Sequence, residues 1–115
     1  MTVRQGDVFR VSPNETNRLA SDNTHPYVVV QEQTSNTVVV CALTSNLKRA
    51  KEPGNILLEE SEGNLPKQSV VVVSQVSTID KTQLGEHIGI LTEQRINQVL
   101  AGIQFLQFMR QHHAQ

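Results

Sequence analysis

The chain alternates between dense aliphatic runs and long polar stretches, and the runs have two different periods. Residues 7–11 form a short apolar-rich segment opened by the turn-forming Gln5-Gly6-Asp7, and they read as a first strand. Residues 12–24 carry Pro13 and several Asn and Asp side chains with almost no apolar residue, which predicts a long loop. Pro26 heads a second strand over 27–31, a position where a missing N–H removes no essential ladder bond. Thr34-Ser35-Asn36 is a turn, and 37–44 returns as a third strand, so the pair predicts a β-hairpin. A second loop covers 46–55 and closes on Pro53-Gly54. A short strand follows over 56–59, then a turn region over 60–68 containing Gly63 and Pro66. The β-branched run 69–76 has no polar alternation at its start and predicts a central strand buried on both faces. Residues 78–81 lead out of it, and 86–90 supplies a last short strand.

At Leu91 the period changes. Thr92 suits a helix N-cap and Glu93 the first turn, where the helix dipole favours negative charge. Ile96, Val99, Leu100, Ile103 and Leu106 then recur at helical spacing and define a face that packs on the sheet. Phe105 and Phe108 fall partly off that stripe. They are expected to widen the buried face, with contact to a second subunit as the other reading. Residues 111–115 read as a frayed tail. Five or more short strands followed by one helix predict an all-β or α+β domain, and closure into a small barrel would remove exposed strand edges.

Composition narrows the classes. A chain of 115 residues is most simply one domain. Aromatic residues are only 3% of it, so the core is built from Val, Ile and Leu. Formal net charge is −1, which supplies no global attraction to nucleic acid or membrane; anion binding has to come from a local patch. The single Cys41 excludes an intramolecular disulfide and a multi-cysteine metal site, and its apolar surroundings predict a buried, inert thiol. No apolar stretch approaches the roughly 20 residues of a membrane helix and no signal peptide is recognisable, so a cytoplasmic protein is expected.

The candidate chemistry lies where strand 37–44 ends. Val38-Val39-Val40-Cys41-Ala42-Leu43 passes directly into Thr44-Ser45-Asn46, followed by Lys48, Arg49 and Lys51. Strand ends hold polar groups rigidly toward a ligand, and the cations suit an anionic one. These residues alone leave two readings open: an anion site, or a turn with a solvated basic face. If 27–31 pairs antiparallel with 37–44, His25 lies beside Thr44. An imidazole next to a hydroxyl and a cationic loop suits acid–base work on a phosphodiester.

These segments also carry a family resemblance. Arg4-Gln5-Gly6-Asp7-Val8, His25-Pro26-Tyr27-Val28-Val29-Val30 and Val38-Val39-Val40-Cys41-Ala42-Leu43-Thr44-Ser45-Asn46 resemble the MazF/PemK (Kid-like) toxins of type II toxin–antitoxin systems. Leu65-Pro66-Lys67-Gln68-Ser69-Val70-Val71, the stretch Ser74-Gln75-Val76-Ser77-Thr78-Ile79-Asp80-Lys81 and Ile88-Gly89-Ile90-Leu91 extend the match, in order, over about residues 3–106. The combination R-x-G-D, L-T-S-N and S-Q-x-x-T-x-D-K is specific. The resemblance implies a mainly β or α+β fold, a small SH3-like barrel of the Kid/MazF/CcdB type with a C-terminal amphipathic helix. It implies one domain over 1–115, a homodimer, and an antitoxin partner with an acidic disordered segment.

It further implies an endoribonuclease that cuts single-stranded RNA without metal or other cofactor, by attack of the 2′-OH on its own phosphate. The products are a 2′,3′-cyclic phosphate and a 5′-hydroxyl. The family's main catalytic pair is a threonine ending the third strand and an arginine just before the second-strand proline. Thr44 matches the threonine. His25 stands in the arginine's place, Thr24 one position earlier, and the family's acidic segment in the first loop is not recognisable in Leu19-Ala20-Ser21-Asp22. On this reading Thr44 and His25 are catalytic, and Ser45, Asn46, Lys48, Arg49 and Gln75 contact RNA. Arg18, in the loop, is also counted among the RNA contacts and is a candidate substitute for the absent guanidinium. The alternative is a member that has lost cleavage and binds RNA or antitoxin. The related gyrase-directed CcdB type relies on a C-terminal Trp-Gly-Ile; this chain has no Trp.

Overall fold

The computed structural model describes residues 2–12 and 25–113. The expected loop from Pro13 to Thr24, with Arg18, lies outside them. Six strands and one long helix follow in chain order: β1 (Asp7–Val11), β2 (His25–Glu32), β3 (Thr37–Thr44), β4 (Ile56–Leu57), β5 (Val70–Asp80), β6 (Leu84–Ile90) and α1 (Glu93–His113). The strands form one antiparallel sheet in the order β4-β5-β3-β2-β1-β6. This is the α+β arrangement expected, with the hairpin β2–β3 at its centre.

β2, β5 and β6 exceed their expected lengths, β2 spanning His25–Glu32 against the expected 27–31. β5 continues to Asp80, and its mostly polar residues 77–80 pair with the first half of β3, from Val40↔Ser77 to Thr37↔Asp80. Main-chain hydrogen bonding asks nothing of side-chain polarity, so the ladder runs on past the apolar run. Between Cys41↔Val76 and Ala42↔Val72 the pairing breaks, and residues 73–75 bulge out of β5. β6 begins at Leu84 rather than at Glu86.

The bulges curve the sheet so that both faces are buried. One face gathers Val8, Val28, Val30, Cys41, Leu43, Leu58, Val71 and Val73 beneath Ile96 and Val99 of α1. The other gathers Phe9, Val11, Val29, Val38, Val40 and Leu84. The sheet's two edges, β4 and β6, are joined through residues 58–65. Leu58 N–H donates to Ser69 O (3.0 Å) on one side, and Asn64 Nδ2 donates to Ile88 O (2.8 Å) on the other. Arg95 of α1 closes the same corner by donating from Nε and Nη2 to the Glu62 carboxylate (2.7 and 3.1 Å).

Thr92 is the N-cap of α1 as expected: its Oγ1 accepts from Arg95 N–H (3.2 Å). Ile96 and Val99 are fully covered, and Leu100, Ile103 and Leu106 pack on their margin. Phe105 and Phe108 correct the expectation that they widen this face, for they are 47% and 55% exposed. Phe105 stands about two and a half turns beyond Ile96, and Phe108 the same beyond Val99, which puts each on the far side of the helix. Gly102 brings α1 against the Pro53-Gly54 turn; a β-carbon there would come within 2.3 Å of Gly54 O. The helix continues to His113, into the stretch expected as a tail.

Candidate nucleic-acid site

The β2–β3 register runs Tyr27↔Ala42, Val28↔Cys41, Val29↔Val40. Continued by two residues, it sets His25 opposite Thr44. Both, with Ser45, line one cleft of about 310 Å³. The remaining wall comes from β1 (Arg10), the head of β2 (Pro26), β6 (Ile88) and the segment before β5 (Leu65, Pro66, Lys67, Ser69). Arg10, Lys67 and the imidazole thus share one cleft with Thr44, and no carboxylate is among the lining residues.

The end of β3 is fixed by its own side chains. Asn46 N–H donates to Thr44 Oγ1 (3.2 Å), and Lys48 N–H donates to Asn46 Oδ1 (3.2 Å), which opens a short 3-10 turn over Leu47–Lys51. Thr44 Oγ1 accepts in this turn, so its own proton remains available to a ligand oxygen. Asn46 thus shapes the turn beside the cleft, and Lys48 lies exposed on it. Arg49 is held in two parallel bonds to Glu52, Nε to Oε2 (2.9 Å) and Nη2 to Oε1 (3.0 Å), with Asn55 donating to its carbonyl. Its guanidinium serves the turn itself. Gln75 is exposed on the β5 bulge and is not among the cleft's lining residues.

Two cations of the cleft, Arg10 and Lys67, were not among the residues singled out from sequence. Arg10 carried a signal: a cation between Phe9 and Val11, in a strand otherwise buried throughout. A charge in that position is retained only where it reaches a polar space. Lys67 carried none, since one lysine beside a proline is ordinary loop composition.

The other groups of chemical interest are structural. Cys41 is buried; burial pushes its thiol up to about 12, against a smaller lowering by the Ala42 backbone, and Sγ donates to Val72 O (3.1 Å). It is the inert thiol expected. Asp7, also buried, accepts from Arg4 N–H (2.8 Å) and pairs with His87 Nε2 (3.1 Å), which ties the Gln5-Gly6 turn to β6. Among the described residues no three His, Cys, Asp or Glu side chains converge on a metal position, and no helix is long and apolar enough to cross a membrane.

Known proteins share this plan. Two proteins named endoribonuclease MazF, from Staphylococcus saprophyticus and Staphylococcus epidermidis, are each 31% identical over 101 residues, covering 84% of this chain and 84% of theirs. A mycobacterial endoribonuclease solved in complex with its cognate antitoxin superposes with a TM-score of 0.70 at 20% identity, over 89% of this chain and 91% of that one. A second mycobacterial endoribonuclease gives 0.68 at 20% identity, over 90% and 88%. At that identity the two structures speak for the fold. The sequence profile of the PemK-like, MazF-like toxins of type II toxin–antitoxin systems matches residues 4–106. Read with the L-T-S-N strand end and the cleft it borders, that span makes the chain a member of the PemK/MazF toxin family.

Proposed function

We propose that this chain is the toxin of a toxin–antitoxin pair and cleaves single-stranded RNA at the cleft bordered by His25 and Thr44. The observation that carries this reading is the composition of the cleft wall: a threonine hydroxyl fixed at a strand end, an imidazole opposite it, and Arg10 and Lys67 around both. A phosphodiester needs these groups. Cations meet the charge that builds on the phosphoryl oxygens, and a hydroxyl donor orients one of them. The imidazole takes the 2′-OH proton as that oxygen bonds to phosphorus. The P–O5′ bond breaks, the departing 5′ oxygen takes a proton from water, and a 2′,3′-cyclic phosphate remains. Ser45 and Lys48 extend the polar rim along which the RNA lies, with Asn46 setting the shape of that rim.

An antitoxin with an acidic segment would compete for the same cations, in keeping with the mycobacterial relative solved with its cognate antitoxin. The working form is a cytoplasmic homodimer, consistent with the exposed Phe105 and Met109 on α1.

The test is incubation of the purified protein with long mixed-sequence single-stranded RNA, with Thr44→Ala alongside. Cleavage that leaves cyclic phosphate ends, reduced on the order of 10²-fold or more by Thr44→Ala, is expected. RNA left intact while still bound would favour the second reading, a non-cleaving module, which the histidine at the position before Pro26 motivates.

A further inference from the structure

We infer that Arg10 supplies the guanidinium that grips the RNA phosphate in this cleft, and that Glu86 holds it in place until phosphate displaces it. The inference rests on the RNA-cleaving reading for its ligand. Residue 25, directly before Pro26, is a histidine, and an imidazole lacks the planar fork with which arginine binds a phosphate through two oxygens. On the neighbouring strand Arg10 pairs with Pro26, one residue along from His25, which itself pairs with Val11. Its side chain lines the cleft with His25 and Thr44.

The pairing of β1 with β6 explains how it gets there. Between Phe9↔His87 and Val11↔Leu84, β1 contributes only Arg10 while β6 contributes Gly85 and Glu86. Such a bulge re-aims side chains and is found beside functional sites. Here it brings Glu86 alongside Arg10. Gly85 makes the close approach possible, because a β-carbon there would stand 2.9 Å from Arg10 O.

The contact itself is loose. Arg10 Nε lies 3.4 Å from Glu86 Oε1, with the two side chains 36% and 73% exposed. Arg49 and Arg95 differ sharply, each making two short parallel bonds to one carboxylate. Arg10 has this one long ion pair among the described residues and lines the cleft, which leaves donors of its fork for a further ligand. An exposed carboxylate at that distance is a weak competitor, and a phosphate dianion or bridging phosphodiester seated by Lys67 and Thr44 replaces it.

The experiment measures binding and cleavage separately. Binding of a 2′-O-methyl oligonucleotide, which cannot be cut, is followed by fluorescence anisotropy across a salt series. Cleavage is followed on the unmodified RNA. Each is done for the unmodified protein, Arg10→Ala, Arg10→Lys and Glu86→Gln, with a thermal melt of each variant. Arg10→Ala is expected to lower the slope of log affinity against log salt by about 0.7, the value of one phosphate contact on a single strand. Its cleavage should fall on the order of 10²–10³-fold. Arg10→Lys should restore the slope but not the rate, and Glu86→Gln should tighten binding severalfold.

Unchanged slope and rate in a folded Arg10→Ala overturn the inference while leaving the RNA-cleaving reading intact. A protein that binds but does not cut, with the slope still lowered by Arg10→Ala, upholds the inference and overturns cleavage; one that neither binds nor cuts overturns both. If Arg10→Ala does not fold, the other two variants decide. Arg10→Lys cutting at the full rate, or Glu86→Gln leaving affinity unchanged, counts against it.

Discussion

Glu62 illustrates how much one side chain can hold at the corner of this fold. Its carboxylate takes two bonds from Arg95 and one from Glu59 N–H. Partial burial would raise its pKa, but the Arg95 hydrogen bonds and the Glu59 N–H outweigh burial and hold it below the ordinary 4.5. The ionised form is therefore favoured by folding, and its contribution is complete above about pH 4.5 and lost as pH falls through the lower folded value. Glu62→Gln is expected to destabilise the protein by about 1–3 kcal/mol at pH 7, the range for a partly buried charged hydrogen bond. Urea unfolding at pH 7 and at pH 3 checks this, with the difference between the two proteins shrinking in acid. Thr44 works at the same scale. Because its Oγ1 accepts from Asn46 N–H, the oxygen is tied to the turn while its own proton stays free to donate to a ligand.

At the scale of elements, α1 and the Pro53-Gly54 turn meet backbone against backbone. Gly102 Cα stands where any side chain would meet Gly54 O, and Gly54 itself has φ +82°, which disfavours other residues. Gly102→Ala sets a helix-propensity gain of about 1 kcal/mol against the cost of forcing the two elements apart, about 1–3 kcal/mol. The contact is to backbone, which cannot rotate away, so the second effect wins. A melting temperature several degrees lower is expected by calorimetry, while Gln104→Ala on the exposed face leaves it nearly unchanged.

Much of this level was legible in advance. Thr92 as N-cap, the Ile96–Val99 stripe and the β2–β3 hairpin all follow from local pattern. Phe105 and Phe108 were misread because size and apolarity were given more weight than angle around the helix. The full length of β5 was hidden because its second half is mostly polar, with Ile79 its one apolar residue beyond Val76, and is held largely by main-chain pairing.

For the whole molecule, what could be read depended on how far apart the partners stand in the chain. His25 and Thr44 meet through one hairpin, whose geometry is predictable from its two strands. Arg10 and Lys67 reach the same cleft from positions far apart in the sequence, and the β6 bulge that aligns Glu86 with Arg10 leaves no periodic mark. Only the assembled sheet, with the segment that leads into β5 laid across it, brings them together. The same closure buries Cys41 at the junction of β2, β3 and β5, with Sγ bonded across to Val72 O. No reagent can reach this sulfur until those strands part. The rate at which a maleimide or disulfide reagent modifies the folded chain is thus a stopwatch for the opening of the sheet, needing no label beyond the native atom. Modification orders of magnitude slower than for a free thiol is expected, accelerated in proportion to the stability lost in Gly102→Ala if opening is global, and unmoved by that substitution if the strands part locally.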